Sequence, residues 1–208
     1  MAMEVACLDL EGVLVPEVWI GVAERTGLAE LRLTTRDISD YDELMRHRLR
    51  VLDQHGLTLG DIQAVIAQMA PLPGAVEFAD WLKRHFQFIV LSDTFYDFAA
   101  GLMAALGQPV LFCHDLVTGD GGRIFDYRLR LANQKQAAVA AFQGLNFAVF
   151  AAGDSYNDTA MLGQADLGVL FRPPAKVAAE FPRLPVAEDY AALAEFFRAA
   201  SSRAIPAL

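Results

Sequence analysis

The feature of this sequence that most restricts its fold is a repeated alternation of short apolar runs with segments of helical periodicity. The apolar runs are rich in Val, Ile, Leu and Phe and lack regular polar alternation, which is typical of strands buried on both faces of a parallel sheet. They span residues 5–10, 86–91, 110–112, 147–151 and 167–171. Segments of helical length span residues 75–85, 95–106, 134–142 and 158–164. The alternation predicts a doubly wound α/β domain with a parallel sheet.

One stretch, from residue 17 to about residue 70, interrupts this alternation. Apolar residues recur there at helical spacing without a convincing strand, and Pro71 and Pro73 close the stretch. We therefore expect a small all-helical cap, residues 15–70, inserted after the first strand of a core formed by residues 1–14 and 71–208. Ligands of open α/β sheets bind beyond the carboxyl ends of the strands, so this insertion is expected to cover the site.

Composition narrows the class of partner. The 208 residues suffice for one well-filled core and a modest insertion. A net charge of −9 and a pI near 4.8 argue against nucleic-acid or anionic-membrane surfaces, which need clustered Lys and Arg. We expect a small-molecule partner, with the oligomeric state left open and a homodimer among the options. We expect neither a signal peptide nor a membrane span from the first residues, and two cysteines in apolar runs suit a reducing cytoplasm, so a cytoplasmic location is expected.

Four polar clusters closely follow predicted strands, so their side chains are expected to meet at one edge of the sheet. The first is Asp9 and Glu11, at the end of the first apolar run. Residues two positions apart in an extended chain point the same way, so one carboxyl can act as nucleophile while the other moves protons. A solvated strand end or a helix N-cap explains the same pair without catalysis.

The second cluster is Ser92, Asp93 and Thr94, directly after the second apolar run. A hydroxyl and a free N–H just before a helix form a cradle for phosphate, because the helix dipole and its unpaired N–H groups favour anions. A simple N-cap role for Ser92 or Asp93 is the alternative, and the two roles are compatible.

The last two clusters supply a cation and further acids. Lys135 precedes an alanine-rich helix, where it can neutralise charge on a transferred phosphoryl group, although most lysines at such positions are solvated. Asp154, Asn157 and Asp158 follow the run at 147–151. Two carboxylates and a carboxamide at a strand end suit Mg²⁺, which prefers oxygen ligands. A polar turn with Asp158 as a helix cap explains Asp158 well and Asp154 poorly.

The order DLEG, LSDT, a lone Lys and GDSYND resembles the haloacid-dehalogenase superfamily of phosphatases, specifically its phosphoserine phosphatase branch. The resemblance covers essentially the whole chain, including the helical cap. It implies that Asp9 attacks phosphorus and that Mg²⁺ is held by the carboxylate of Asp9, the backbone carbonyl of Glu11 and the side chain of Asp154. It also implies the remaining roles: Glu11 is the general acid and base, Ser92 and Lys135 bind phosphoryl oxygens, and Asn157 and Asp158 orient the ligand and the metal shell. Asp93 is expected to bind the substrate together with Ser92.

The resemblance assigns the substrate's amino-acid group to the cap. Members of this branch use an acid shortly after the first motif for the ammonium and a cap arginine for the carboxylate. Glu17 corresponds to the acid, at a spacing one residue shorter than in typical members. Among Arg46, Arg48 and Arg50, only Arg48 falls on the apolar face of its predicted helix, so it is expected to point inward. An ion pair of Arg48 within the cap is the alternative.

Glu11 marks a departure from the branch, which ordinarily has Asp at this position. The segment DLEGVLVPE together with GDSYND resembles a bacterial subgroup that both hydrolyses phosphoserine and transfers its phosphoryl group to homoserine. Homoserine is therefore implied as a second acceptor, although no residue visibly selects it over water. Two alternatives are a phosphatase for another small phosphate ester and a non-catalytic phosphoacceptor of the receiver type, which has no need of Glu11 or of a cap.

Overall fold

A computed structural model describes residues 3–35, 37–38 and 40–208 of the chain. Its strands are β1 (Met3–Leu8), β2 (Gln87–Phe95), β3 (Val110–Thr118), β4 (Ile124–Arg128), β5 (Phe147–Gly153), β6 (Leu167–Phe171) and β7 (Val186–Ala187). They form one sheet in the order β4-β3-β2-β1-β5-β6-β7, and only the β3–β4 pair is antiparallel. The sheet grows from β1 in both directions, which confirms the predicted doubly wound α/β class.

The helices flank this sheet or lie in the insertion after β1. They are α1 (Val18–Thr26), α2 (Tyr41–Gln54), α3 (Leu59–Ile66), α4 (Ala75–His85), α5 (Tyr96–Ala105), α6 (Gln134–Gly144), α7 (Thr159–Gln164), α8 (Ala175–Glu180) and α9 (Tyr190–Ala200). Helices α1, α2 and α3 occupy the stretch for which the sequence predicts only helix. Across the described ranges, no helix combines the length and the apolar character that crossing a membrane requires.

Burial on both faces of the sheet accounts for the apolar runs. Along β1, Val5 and Cys7 pack into one buried cluster, whereas Ala6 and Leu8 pack into the other. Successive side chains of a strand point to opposite faces, so a strand covered on both sides needs apolar residues at every position. Both Cys7 and Cys113 are buried and unbridged.

Local capping fixes where the helices of the insertion begin. The side chain of Asp40 accepts a hydrogen bond from the backbone N–H of Glu43 and so caps α2. Thr58 and Asp61 form a reciprocal capping box at the start of α3. Each such cap contributes roughly 1 kcal/mol by pairing N–H groups that a helix leaves unsatisfied.

The strands on one side of β1 differ from the sequence prediction. β2 continues through the Ser92–Thr94 cluster to Phe95, so the cluster ends a strand and the next helix begins at Tyr96. β3 extends to Thr118, beyond the apolar run that ends at residue 112, and it turns back into β4. The sequence did not predict β4, because its five residues IFDYR contain two charges and follow a glycine-rich turn.

Residues 115–128, which we call the β3–β4 hairpin, lie against α2. Exposed polar contacts join the two elements. They are Arg46–Asp126 at 2.8 Å, Arg123–Asp53 at 2.7 Å and the Tyr127 hydroxyl to Asp42 at 2.6 Å. Exposed ion pairs contribute about 0–1 kcal/mol each, so these pairs add only modestly to the stability of the contact between the hairpin and α2.

Candidate active site

The carboxyl ends of β1, β2 and β5 bring the predicted clusters together at one edge of the sheet. Asp9 follows β1, and its backbone N–H donates to the carbonyl of Ala152 at 3.0 Å, which continues the β1–β5 ladder by one residue. Ser92 lies near the carboxyl end of the neighbouring strand β2, and Asp154 follows β5 directly. Asp9, Ser92 and Asp154 are all buried. This is the edge where open α/β sheets bind ligands, beside the strand at which the chain order reverses.

Lys135, in the first turn of α6, joins these strand ends. Its Nζ lies 3.0 Å from Asp9 Oδ1, 2.8 Å from Asp158 Oδ1 and 3.6 Å from Asp93 Oδ2. The side chain is only 4% exposed. Burial alone lowers the pKa of an ammonium, but the Asp158, Asp9 and Asp93 carboxylates raise the pKa of Lys135 well above its ordinary value. Lys135 is therefore a fixed positive charge beside Asp9.

Asp9 lies among other acids. Burial and the Asp158 carboxylate raise the pKa of Asp9 well above its ordinary value, Asp154 and Asp93 add to this, and Lys135 opposes it. A carboxyl with a raised pKa ionises less readily than an ordinary aspartate. The site consequently has an excess of buried negative charge that a further cation would relieve.

Three buried carboxylates have the spacing of a metal site. Asp9, Asp154 and Asp158 each offer one oxygen, and these oxygens lie within 4.8 Å of one another. Gly12, in the loop after Asp9, has a φ of 77°, and a Cβ added there would come within 2.7 Å of Asp154 Oδ2. The loop thus approaches the Asp154 carboxylate as closely as glycine permits. Hard oxygen donors in such a cluster fit Mg²⁺.

Asp158 is fully buried and has partners for both oxygens. Oδ2 accepts hydrogen bonds from the backbone N–H groups of Asp154 at 3.0 Å and Ser155 at 3.2 Å, while Oδ1 faces Lys135. Asp158 therefore holds the loop after β5 in place. Within the same loop, Asn157 donates from Nδ2 to Asp93 Oδ2 at 3.0 Å.

Glu11 reaches from the loop after β1 to the start of α1. Its Oε2 accepts a hydrogen bond of 2.9 Å from the backbone N–H of Val18. Burial raises the pKa of Glu11 above its ordinary value, against the opposing effects of the Val18 N–H, Thr94, Arg48 and Lys135. Glu11 consequently keeps its proton to a higher pH than an exposed glutamate, as a general acid requires.

Arg48 points inward from α2, as the helical pattern predicts, and is 7% exposed, whereas Arg46 and Arg50 are exposed. Its guanidinium carbon lies 4.7 Å from the centre of the Trp19 ring, and one terminal nitrogen donates to the carbonyl of Leu33 at 3.0 Å. The buried Nε has no hydrogen-bond partner in the described part of the chain. Burial lowers the pKa of this arginine to about 10.

A cavity of about 70 Å³ joins the sheet edge to the cap. The predicted residues in its wall are Asp9, Glu11, Glu17, Arg48, Ser92, Asp93, Asp154 and Asn157. One water needs roughly 10–15 Å³, so the cavity has room for part or all of a small molecule. Lys135 lies beneath the wall, in contact with Asp9.

Sequence reasoning missed several residues of this region. The sequence marks Trp19 only as an aromatic residue at a helical position, yet its ring lines the cavity under Arg48. Tyr41 lines the cavity and donates from its hydroxyl to the backbone carbonyl of Asp93 at 2.7 Å. His114 is buried in β3 beside Asp93. The sequence does carry one sign of His114: it is a polar residue within the mainly apolar run LFCHDLV. A buried imidazole needs hydrogen-bond partners, so such a position indicates polar contacts inside the fold.

Buried acids and a fixed lysine lie together at one edge of a doubly wound sheet, beneath inserted helices. This combination is typical of hydrolases of the haloacid dehalogenase type. Residues 16–163 match the family described as haloacid dehalogenase-like hydrolase. The chain belongs to this family, which confirms the resemblance inferred from the four motifs.

Named relatives extend the comparison. A protein named phosphoserine phosphatase from Pseudomonas syringae pv. tomato is 56% identical over 202 residues, which are 97% of this chain and 85% of the relative. Another, named phosphoserine phosphatase ThrH, from Pseudomonas aeruginosa, is 56% identical over 98% of this chain and 99% of its own length. A solved substrate-bound phosphoserine phosphatase complex has a TM-score of 0.75 at 20% identity, covering 97% of this chain and 100% of that chain. At that identity the likeness shows a shared fold.

Proposed function

We propose that this chain is a magnesium-dependent phosphatase that removes the phosphoryl group of phosphoserine through an aspartyl-phosphate on Asp9. The observation that carries the proposal is the buried ammonium of Lys135, held 3.0 Å from Asp9 Oδ1. A fixed cation beside the nucleophile offsets the repulsion between an anionic carboxylate and an anionic ester. The names of the two Pseudomonas relatives support phosphoserine as the substrate.

In the first half-reaction a carboxylate oxygen of Asp9 attacks phosphorus, and the bond from phosphorus to the seryl oxygen breaks. Glu11 gives its proton to that seryl oxygen, so serine leaves as a neutral alcohol. The hydroxyl of Ser92 and the ammonium of Lys135 contact the phosphoryl oxygens and stabilise their charge. The raised pKa of Glu11 supports its role as the acid.

In the second half-reaction Glu11 is a carboxylate and acts as the base. It accepts a proton from the incoming hydroxyl, whose oxygen attacks phosphorus and releases the carboxylate of Asp9. The hydrogen bond from the Val18 N–H fixes one oxygen of Glu11, which supports a defined direction for the other. Closure of the cap limits which hydroxyl reaches the phosphorus.

The residues that would hold the metal are Asp9, Asp154 and the backbone carbonyl of Glu11. When bound, Mg²⁺ neutralises charge on the ester and polarises a phosphoryl oxygen. The excess of buried carboxylate at this edge and the close approach of Gly12 to Asp154 support a cation at this position. Asp158 has partners for both oxygens, so its role is to hold Lys135 and the 154–158 loop rather than the metal.

The cap binds the amino-acid part of the substrate. Arg48 binds the carboxylate, because its buried Nε lacks a partner within the described residues and a bidentate carboxylate supplies one. Glu17, the N-cap residue of α1 in the cavity wall, binds the ammonium. A cavity of about 70 Å³ matches a substrate as small as phosphoserine.

We extend the proposal to homoserine as a second acceptor, on the resemblance carried by DLEGVLVPE and GDSYND. Homoserine has the same ammonium and carboxylate as serine, so Glu17 and Arg48 can hold it in the same orientation. Its hydroxyl lies one methylene further from those groups. The longer side chain of Glu11, compared with the usual aspartate, supports a base that reaches an acceptor in a different position.

The test is to incubate the protein with Mg²⁺ and phosphoserine, with and without homoserine, and to quantify serine, inorganic phosphate and phosphohomoserine. We expect serine in both reactions and phosphohomoserine only with homoserine. No serine in either reaction would overturn the assignment to phosphoserine. Serine and phosphate without phosphohomoserine would overturn the transfer activity alone.

Two analogues test the head-group assignment in the same assay. Phosphoethanolamine lacks the carboxylate expected at Arg48, and phospholactate lacks the ammonium expected at Glu17. We expect both to be poorer substrates than phosphoserine by at least about tenfold in kcat/KM, since each lacks one of the two charged groups that Arg48 and Glu17 are proposed to bind. Equal rates with all three esters would indicate a phosphatase for another small ester.

A further inference from the structure

Both carboxylate oxygens of Asp93 contact side chains from other elements. Oδ2 accepts a hydrogen bond from Asn157 Nδ2 at 3.0 Å and lies 3.6 Å from Lys135 Nζ. Oδ1 lies 3.3 Å from Gln134 Nε2 and 3.5 Å from His114 Nε2. One oxygen therefore faces the two residues nearest the phosphoryl site, while the other faces a buried layer behind them.

His114 has one defined orientation in this buried layer. Its Nδ1 accepts a hydrogen bond of 3.1 Å from the backbone N–H of Arg130, and the side chain is 2% exposed. A ring nitrogen that accepts from an N–H carries no proton, so the ring proton is on Nε2, which lies 3.3 Å from Gln134 Nε2 and 3.5 Å from the acceptor Asp93 Oδ1. Gln134 supports the same layer, because its Nε2 donates to the carbonyl of Ser92 at 2.5 Å.

The charge of Asp93 decides what its side chain can contact. Burial alone would raise the pKa of Asp93, but Lys135 and hydrogen bonds from His114, Asn157 and Gln134 hold the pKa well below its usual range. The carboxyl group is therefore an anion. An anionic carboxylate repels phosphoryl oxygens, so this side chain acts on the phosphoryl group through Lys135 and Asn157 rather than by contact.

We propose that Asp93 and His114 are positioning residues: His114 fixes the carboxylate of Asp93, and that carboxylate fixes Lys135 and Asn157 against the phosphoryl group. The reaction concerned is the one under "Proposed function", on which this inference rests. The backbone N–H of Asp93 keeps the phosphate-binding role expected from the sequence. Its side chain has a separate role: it contacts Lys135 and Asn157, which face the phosphoryl group, and it is itself held by His114.

The variant Asp93→Asn tests the sign of the effect. It keeps the shape of the side chain and removes its charge. We expect kcat for phosphoserine to fall about tenfold because Lys135 and Asn157 lose their common partner. KM should stay unchanged or fall, because a negative charge near the ester is removed. A raised KM would instead mean that the Asp93 side chain binds the substrate directly, which would overturn the proposal.

Variants of His114 test the layer behind Asp93. His114→Phe removes the donor, whereas His114→Gln places an amide N–H near the position of Nε2. We expect H114F to lower kcat about tenfold at constant KM and H114Q to remain within about threefold of the unmodified protein. If H114F does not fold, as judged by circular dichroism, H114N replaces it, since its amide is too short to reach Asp93.

A double-mutant cycle separates positioning from general stability. His114 acts through Asp93, so D93N/H114F should be no slower than D93N alone. Rate effects that multiply would show that the two residues act independently and would overturn the inference. With H114N in place of H114F the same comparison holds.

A spectroscopic experiment tests the positioning role without using phosphoserine. Beryllofluoride with Mg²⁺ mimics a phosphorylated aspartate, and ¹⁹F NMR reports the surroundings of its fluorine atoms. We expect separate, narrow resonances with the unmodified protein and with H114Q, and broadened or merged ones with D93N and H114F. Identical spectra for all four proteins would contradict the positioning role. If phosphoserine is not hydrolysed while these spectra behave as expected, the proposed substrate fails and the positioning network stands.

Discussion

The hydroxyl of Tyr41, at the start of the cap helix α2, donates a hydrogen bond of 2.7 Å to the backbone carbonyl of Asp93, at the end of the core strand β2. Tyr41 is buried deeply enough to raise its pKa above the usual range. This bond joins the cap to the strand that carries the phosphate-binding cluster. One partner belongs to the inserted helices and the other to the core sheet, so any movement of the insertion away from the sheet would break this bond.

Tyr41→Phe should therefore favour the open cap. A hydrogen bond worth about 1 kcal/mol changes that equilibrium about fivefold, and we expect KM for phosphoserine to rise by a similar factor. Steady-state kinetics would measure it. Tyr127→Phe is the matched control, since the Tyr127 hydroxyl bonds to Asp42 on the exposed hairpin side of α2. Equal KM values for Y41F and Y127F would argue against a role of Tyr41 in closure.

Arg48→Ala should raise KM far more than Arg46→Ala. Arg48 is buried in the cavity wall, whereas Arg46 is exposed and pairs with Asp126 and Asp42. Removing a buried charge that binds a substrate carboxylate costs about 2–5 kcal/mol, so an increase in KM of at least tenfold is expected. Arg46→Ala should stay within about twofold. Similar values for both variants would show that the carboxylate is bound elsewhere.

Removal of Mg²⁺ should be visible in stability as well as in turnover. A ligand that binds only the folded state raises the melting temperature of the protein. At a ligand concentration of a hundred times Kd, the free energy of unfolding increases by about 2.7 kcal/mol. We expect Mg²⁺ to raise the melting temperature of the unmodified protein and to have little effect on Asp154→Asn. Calorimetry with and without a chelator measures both. A full magnesium shift in D154N would exclude Asp154 as a ligand.

Asp9→Asn should abolish turnover and change the pH dependence of stability without Mg²⁺. The pKa of Asp9 is raised well above 3.8 in the folded protein, so the folded state binds this proton more tightly than the unfolded chain. Its contribution is fully present below pH 3.8 and is lost as pH rises through the raised value. Urea denaturation at increasing pH should show the free energy of unfolding falling more for the unmodified protein than for D9N. Parallel curves would contradict the raised pKa.

Substitutions of Glu11 separate proton transfer from acceptor choice. Glu11→Gln cannot exchange a proton, and loss of general acid–base catalysis should lower kcat by roughly 10²–10⁴. Glu11→Asp restores the residue usual in phosphoserine phosphatases, so hydrolysis should persist while the ratio of phosphohomoserine to inorganic phosphate falls. Product analysis measures this ratio. An unchanged ratio in E11D would show that Glu11 does not influence the acceptor.

The sequence predicts the parts of this molecule that depend on local pattern. The apolar runs predict the central strands, because burial on both faces requires them. The inward direction of Arg48 follows from helical spacing within α2. Asp9, Ser92 and Asp154 converge because parallel strands of one sheet end at the same edge, and Lys135 reaches them from the first turn of α6.

Contacts between distant segments escape such reasoning. The β3–β4 hairpin has a short, charged second strand, whose partner on α2 lies far away in the sequence. His114 shows no ligand spacing, and its contacts arise only when β3 packs against the residues before α6. Tyr41 begins a helix like any other aromatic residue, and its bond to Asp93 depends on how the cap rests on the core.

The β3–β4 hairpin also bears on how the contacts of this protein respond to salt. Arg123 and Asp126 touch the cap on its outer surface and contact none of the acids at the sheet edge. Charges in such positions are screened as ionic strength rises. The hairpin contacts with α2 should therefore weaken as salt is added, whereas the ion pairs of the buried Lys135 with Asp9 and Asp158 should persist.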